Sequence, residues 1–174
     1  MIEERIHQTV RTVPDFPKPG IQFKDISTLC LDPKLAGDIV DELAARSPEG
    51  VSAVVGIESR GFLFGVPLAI KLGVPFVLLR KAGKLPAETI AYSYDLEYGQ
   101  ATIEMHKDAI QAGDKVLVHD DLLATGGTAL AAAELVKQQG GEVAGFSFLM
   151  SIDVLDGEEA IRKQCQNIAI LARS

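Results

Sequence analysis

The chain is organised around Val116-Leu117-Val118-His119-Asp120-Asp121-Leu122-Leu123-Ala124-Thr125-Gly126-Gly127-Thr128. A buried apolar run ends in two acids. A small, Gly-rich turn follows, and an Ala-rich helix runs from Thr128 to Gln138 until Gly140-Gly141 stops it. In an open α/β sheet, ligands sit at the carboxyl ends of strands. Gly126 and Gly127 permit positive φ and carry no side chain, so the N–H groups of Ala124 to Thr128 can point into one concavity. The positive end of the helix adds to them, and together they suit a phosphate monoester. Asp120 and Asp121 would repel phosphate and instead suit the hydroxyls of a vicinal diol. A ribose 5-phosphate satisfies both halves. The segment has neither the dinucleotide G-x-G-x-x-G nor the G-x-x-x-x-G-K-[ST] of a P-loop. The plainer alternative is an acidic strand end followed by an ordinary turn.

Strands are predicted at Val51–Ile57, Val74–Leu79, Lys115–Val118, Val143–Ile152 and Ile168–Ala172. Helices are predicted at 2–11, from the cap Asp32-Pro33 onward, at Gly61–Leu72 and at 157–165. Residues 81–99, with Gly83, Pro86 and Gly99, read as a long loop, and the alternation over 101–106 suggests a hairpin around Gly99. Alternating strands and helices predict an α/β fold with a mostly parallel central sheet flanked by helices. With 174 residues, one domain over 1–174 is expected.

Hydrophobic residues make up 47% and charged residues 24%, which excludes a disordered chain. No apolar run approaches the ~18–20 residues of a membrane helix. The N-terminus lacks a basic-then-apolar layout, and Cys30 and Cys165 make neither a disulfide framework nor a metal spacing, so a cytoplasmic protein is expected. The net charge of −7 argues against a general nucleic-acid binder. Yet Ser59 to Ala87 holds Arg60, Lys71, Arg80, Lys81 and Lys84 and no acid, a local charge of +5. That window is either a solvated edge or a pocket for a compact polyanion.

The segment 116–128 resembles the phosphoribosyl pyrophosphate (PRPP) motif of the type I phosphoribosyltransferase family. Val55-Gly56-Ile57-Glu58-Ser59-Arg60-Gly61-Phe62 resembles the pyrophosphate loop of the adenine-specific members. Arg80-Lys81-Ala82-Gly83-Lys84-Leu85-Pro86, with Leu96-Glu97-Tyr98-Gly99, resembles their flexible catalytic loop. Val13 to Ile26 resembles their N-terminal hood, so 1–32 is expected to include a small hood segment. The resemblance spans about residues 13 to 150 and loosens over the last 24.

It implies the reaction of adenine with PRPP to give AMP and diphosphate, a purine salvage step. It also implies Mg²⁺ carried by PRPP, a homodimer, and no nucleic-acid or membrane partner. By the same resemblance Glu58, Ser59, Arg60, Asp120, Asp121, Ala124, Thr125, Gly126, Gly127 and Thr128 bind PRPP or AMP. Arg60, Lys81 and Lys84 clamp the pyrophosphate, Tyr98 covers it, and Glu97 is the acid–base candidate. Phe16, Ile21, Gln22, Phe23 and Lys24 line the adenine, although on burial statistics alone the Phe16/Phe23 pair reads more often as core than as a base sandwich. A non-proline cis peptide is implied at or beside Glu58-Ser59, and His119 reads as a packing variant. Two alternatives stay open. One is a transferase for hypoxanthine, guanine or xanthine; the other is a PRPP-sensing regulator built on the same fold.

Overall fold

The computed structural model describes residues 1–95 and 99–174. In chain order, α1 (Ile2–Thr9) leads to the strands β1 (Arg11–Pro14) and β2 (Gln22–Asp25), then a 3-10 turn and α2 (Pro33–Ala45). β3 (Ala53–Ile57), α3 (Gly61–Leu72) and β4 (Phe76–Lys81) form the first parallel crossover. A hairpin of β5 (Thr89–Asp95) and β6 (Gln100–His106) follows. Then come β7 (Lys115–Leu123), α4 (Gly127–Gln138), β8 (Glu142–Ser151), α5 (Gly157–Arg162) and β9 (Ile168–Arg173). The main sheet has the order β5-β6-β4-β3-β7-β8-β9, parallel from β4 to β9 and antiparallel through the hairpin. This is the expected mixed, mostly parallel architecture.

Local chemistry accounts for the elements. Asp32 caps α2, its carboxylate accepting from the Lys34 and Leu35 amides at 3.0 Å each. Leu35, Ile39 and Leu43 then recur on one face and are fully buried, each contributing ~1.5–3 kcal/mol. Strand alternation divides the core into two layers. Val55 and Ile57 of β3 and Val116 and Val118 of β7 face α4; Val54 and Leu117 face α2 and α3. No helix among the described residues is long and apolar enough to cross a membrane.

Three expectations are corrected. The predicted loop 81–99 contains a strand, Thr89–Asp95, whose Ile90, Tyr92 and Tyr94 pack on the core. Period-two burial, not loop chemistry, governs those seven residues. The broken N-terminal segment makes an antiparallel ribbon, Arg11↔Asp25 through Pro14↔Gln22, because its prolines and Gly20 fall at the turn or the strand end. The strand predicted at Lys115–Val118 runs on to Leu123, because β8 pairs with it along that whole length.

The chain leaves β3 toward β4 on one side, and β7 and β8 lie on the other. The boundary between β3 and β7 is therefore a topological switch point, where a crevice opens beyond the strand ends.

Candidate active site

Two strand-to-helix loops meet at that crevice. Residues 58–60 join β3 to α3, and residues 124–126 join β7 to α4. Neither helix start has a side-chain cap: Arg60 and Gly126 occupy the cap positions without such a bond. The contrast with α2, whose first amides are taken by Asp32, is physical. At α4 the uncapped amides and the positive helix end are left to an outside anion, whereas at α3 the Phe62 and Leu63 amides already donate to the Ser59 and Arg60 carbonyls at 3.1 Å each.

The β7 side forms a cradle. Asp120, Thr125, Gly126, Gly127 and Thr128 border a small cavity of about 80 Å³. Positive φ is needed at Gly126 alone, at +83°. Gly127 is already helical, and its missing side chain only leaves room beside the Tyr94 ring, 3.7 Å away. A Cβ at Gly126 would also press on the Gly157 carbonyl at 3.0 Å. Tyr94, reaching in from β5, meets Thr128 hydroxyl to hydroxyl at 2.8 Å. This residue was missed in the sequence; the alternation Ile90, Tyr92, Tyr94 was the available signal.

β7 outlasts its neighbour β3, whose register with it ends at Gly56↔His119. The two acids beyond that point diverge. Asp120 borders the small cavity and a larger one of about 400 Å³. Asp121 is buried, with Arg60 Nε 3.0 Å from its Oδ2. That contact is ionic without hydrogen-bond alignment, since Oδ2 has no hydrogen-bond partner. Burial, then the Asp121 charge, push the Asp120 carboxyl well above the usual range. Burial raises Asp121 as well, opposed by Arg60. His119 is fully buried, with Nδ1 3.2 Å from Ser147 Oγ, and burial lowers it to about 4, so it is a neutral packing residue as expected. Glycines make its room: a Cβ at Gly65 would fall 3.3 Å from its ring, and one at Gly61 would meet Asp120 Oδ1 at 2.9 Å.

The β3 side gathers cations around one acid. The Glu58–Ser59 peptide is cis. Glu58 accepts from the Lys81 amide at 2.8 Å, Lys84 Nζ at 2.5 Å and Arg80 at 3.4 Å. Its side chain is 9% exposed, and the cover is thin, coming from the cations rather than the core. Burial raises its pKa, but the Lys84, Lys81 and Arg80 contacts outweigh that and hold it at about 2. Arg80 was not singled out as a site residue in the sequence, although it stands in the basic window.

Arg60 turns the other way. Besides Asp121, it donates to the Lys24 carbonyl at 3.2 Å and lies 5.0 Å over the Phe23 ring. Phe23 makes an edge contact with Phe16 at 5.1 Å. Arg60 thus ties the β1–β2 ribbon to the end of β7 and does not join the Glu58 cluster. The Lys24 ammonium is drawn across the ribbon to Thr12 Oγ1 at 3.2 Å, so Lys24 offers its backbone toward Arg60. Ile21 and Gln22 are exposed on the same ribbon, and Ser59 is exposed in its loop. Glu97 and Tyr98 lie outside the described residues. A cavity of about 680 Å³ runs along the β9 edge and touches neither loop.

Comparison with known proteins agrees with this geometry. The phosphoribosyl transferase domain model matches residues 32–171. An adenine phosphoribosyltransferase from Sorangium cellulosum is 54% identical over 161 residues, 92% of this chain and 80% of that protein. The crystal structure of adenine phosphoribosyltransferase from Thermoanaerobacter pseudethanolicus superposes with a TM-score of 0.93 at 45% identity, covering 100% of both chains. That of the Giardia lamblia enzyme complexed with 9-deazaadenine gives 0.91 at 40% identity, covering 100% of this chain and 98% of that one. A domain match over most of the chain and relatives about half identical along nearly its whole length show that the chain belongs to the phosphoribosyltransferases and, among them, to the adenine phosphoribosyltransferase family.

Proposed function

We propose that this chain, as one catalytic unit with its hood, transfers the phosphoribosyl group of PRPP to adenine, releasing AMP and pyrophosphate. The observation that carries the reading is the uncapped start of α4 at Gly126, facing a cavity that Asp120 also borders. An anion held there by backbone amides leaves Asp120 to accept a ribose hydroxyl. Asp121, paired with Arg60, is assigned with Asp120 to the ribose hydroxyls.

The ring nitrogen of adenine attacks the anomeric carbon as the bond to pyrophosphate breaks, through an oxocarbenium-like state. The chain's contribution is to align the two substrates and to neutralise the departing charge. Arg80 and Lys84, which meet at Glu58 with the Lys81 amide, are assigned to the pyrophosphate together with Lys81 and Ser59. The base is assigned to the ribbon: Phe16 and Phe23 by ring contact, and Ile21, Gln22 and Lys24 by edge and backbone groups. From the sequence, Glu97 is assigned acid–base duty and Tyr98 the cover over the leaving group.

Among the described residues no group of three or more His, Cys, Asp or Glu could hold a metal. We assign Mg²⁺ to PRPP oxygens, where Asp120, which borders both cavities, is the acid that would meet it, and where the ion would supply charge neutralisation on the pyrophosphate. The exposed stripe Leu63, Val66 and Ile70 on α3 supports a homodimer through a second copy of this face. Free Cys30 and Cys165 accord with a cytoplasmic setting.

The test is turnover. Adenine, PRPP and Mg²⁺ should give AMP and pyrophosphate in equal amounts. PRPP binding without turnover, with a PRPP-dependent shift of DNA, would instead establish the sensing regulator.

A further inference from the structure

We infer that Glu58 is an internal stand-in for pyrophosphate: in the free chain its carboxylate fills the cationic clamp, and pyrophosphate must displace it to bind. The inference rests on the reading of Arg80, Lys81 and Lys84 as that clamp.

Both carboxylate oxygens are engaged. Oε1 takes Arg80 and Lys84, and Oε2 takes the Lys81 amide. Arg80 also donates to the Lys84 carbonyl at 3.2 Å, which ties the two cations into one unit. A carboxylate held this way copies part of what a phosphate offers to the same donors. The side chain is covered although Lys84 is 47% exposed, so the acid sits inside the cluster and the cations outside it. Glu58 also borders the 400 Å³ cavity, next to the position assigned to the leaving group.

Two anions cannot share one set of donors. Either Glu58 yields the cations, or pyrophosphate binds without them. The cradle has no such occupant, since no side chain caps α4. AMP therefore meets a vacant phosphate site, whereas pyrophosphate meets a filled one. Its apparent affinity is reduced by the fraction of clamps that Glu58 holds. The arrangement keeps the three donors, two cations and one amide, ordered between turnovers and competes with the departing product. Glu58 is on this account a positioning residue that sets pyrophosphate affinity from the opposing side.

The experiment is calorimetric binding of inorganic pyrophosphate with Mg²⁺, and separately of AMP, to the whole protein. Glu58→Gln keeps the shape and removes the charge. It should bind pyrophosphate about tenfold more tightly and AMP as the parent does, the AMP arm reporting an intact fold. Should Glu58→Gln not fold, Glu58→Asp draws the carboxylate back from Lys84 and should move pyrophosphate affinity in the same direction by less. Unchanged or weaker pyrophosphate binding, with AMP binding intact, overturns the inference. Lys84→Ala in the parent should weaken pyrophosphate by roughly tenfold, the scale of a charge-assisted hydrogen bond. If it does not, the clamp reading itself fails.

Discussion

The cradle and the clamp face the same crevice and are built in opposite ways. The cradle is mostly backbone: amides at the start of α4 with no side-chain cap, one left-handed glycine, and Tyr94 at the edge on Thr128. The clamp is mostly side chain: two long cations, one backbone amide and an acid that already satisfies them. A backbone site is preorganised by the fold and needs no partner while empty. A cluster of like charges next to a cavity needs one, and Glu58 serves. The difference also matches the chemistry. The 5-phosphate stays on substrate and product throughout, whereas the pyrophosphate must be released at every turnover.

Each half can be broken separately. The largest effect is expected at Gly126→Val. A β-branched residue at φ +83° is strained, and its Cβ would meet the Gly157 carbonyl at 3.0 Å. Strain of ~1–3 kcal/mol at the cradle should lower kcat/KM about 100-fold, read in steady-state assays with the melting temperature as control. Normal activity would mean the turn is not a phosphate cradle.

Asp120→Asn comes next. Losing a charge-assisted hydrogen bond costs ~1.5–3 kcal/mol, or about 10- to 150-fold in PRPP affinity, by calorimetry. Because burial and Asp121 hold Asp120 above the usual range, parent PRPP affinity should begin to fall, on acidification, at a higher pH than an ordinary carboxylate would give. An affinity flat down to the ordinary range would remove Asp120 from the ribose.

The smallest effect concerns the clamp's own stability. Glu58 has a depressed pKa of about 2 against an ordinary 4.5. Its contribution is therefore fully present above about pH 4.5 and is lost as pH falls toward 2. The melting temperature of the parent should drop toward that of Glu58→Gln across this window. A constant difference between the two melting curves would show that the ion cluster does not stabilise the fold.

The sequence speaks unevenly about these halves. The cradle is legible because its information is local: a strand, two acids, small residues and a helix in thirteen positions. The α2 cap and the Gly61 helix start are legible for the same reason. What was missed is long-range. Arg60 stands in a basic window and reads as a pyrophosphate ligand; what the window does not show is its pairing with Asp121 and the Lys24 carbonyl, far away in sequence. Arg80 becomes a site residue only when Glu58, 22 positions earlier, reaches it. β5 was only partly legible: a hairpin around Gly99 was expected, and its pairing with β6 bears that out, but Gly83 and Pro86 made the stretch before Gly99 read as loop and hid how long that arm is. The hood's own pairing was obscured by Pro14, Pro17 and Pro19, which mark a turn without showing what the turn joins. The phosphoribosyl transferase domain match begins at residue 32, so the ribbon assigned to the base lies before it.

Choice of base is therefore the claim that most needs a direct measurement: kcat/KM for adenine, hypoxanthine and guanine at saturating PRPP and Mg²⁺. A site that pairs the exocyclic amine leaves buried groups unpaired against an oxo group, which can cost ~10⁴–10⁵ in specificity. The account predicts that adenine exceeds both other bases by about four orders of magnitude. Values for hypoxanthine or guanine within tenfold of adenine would contradict it.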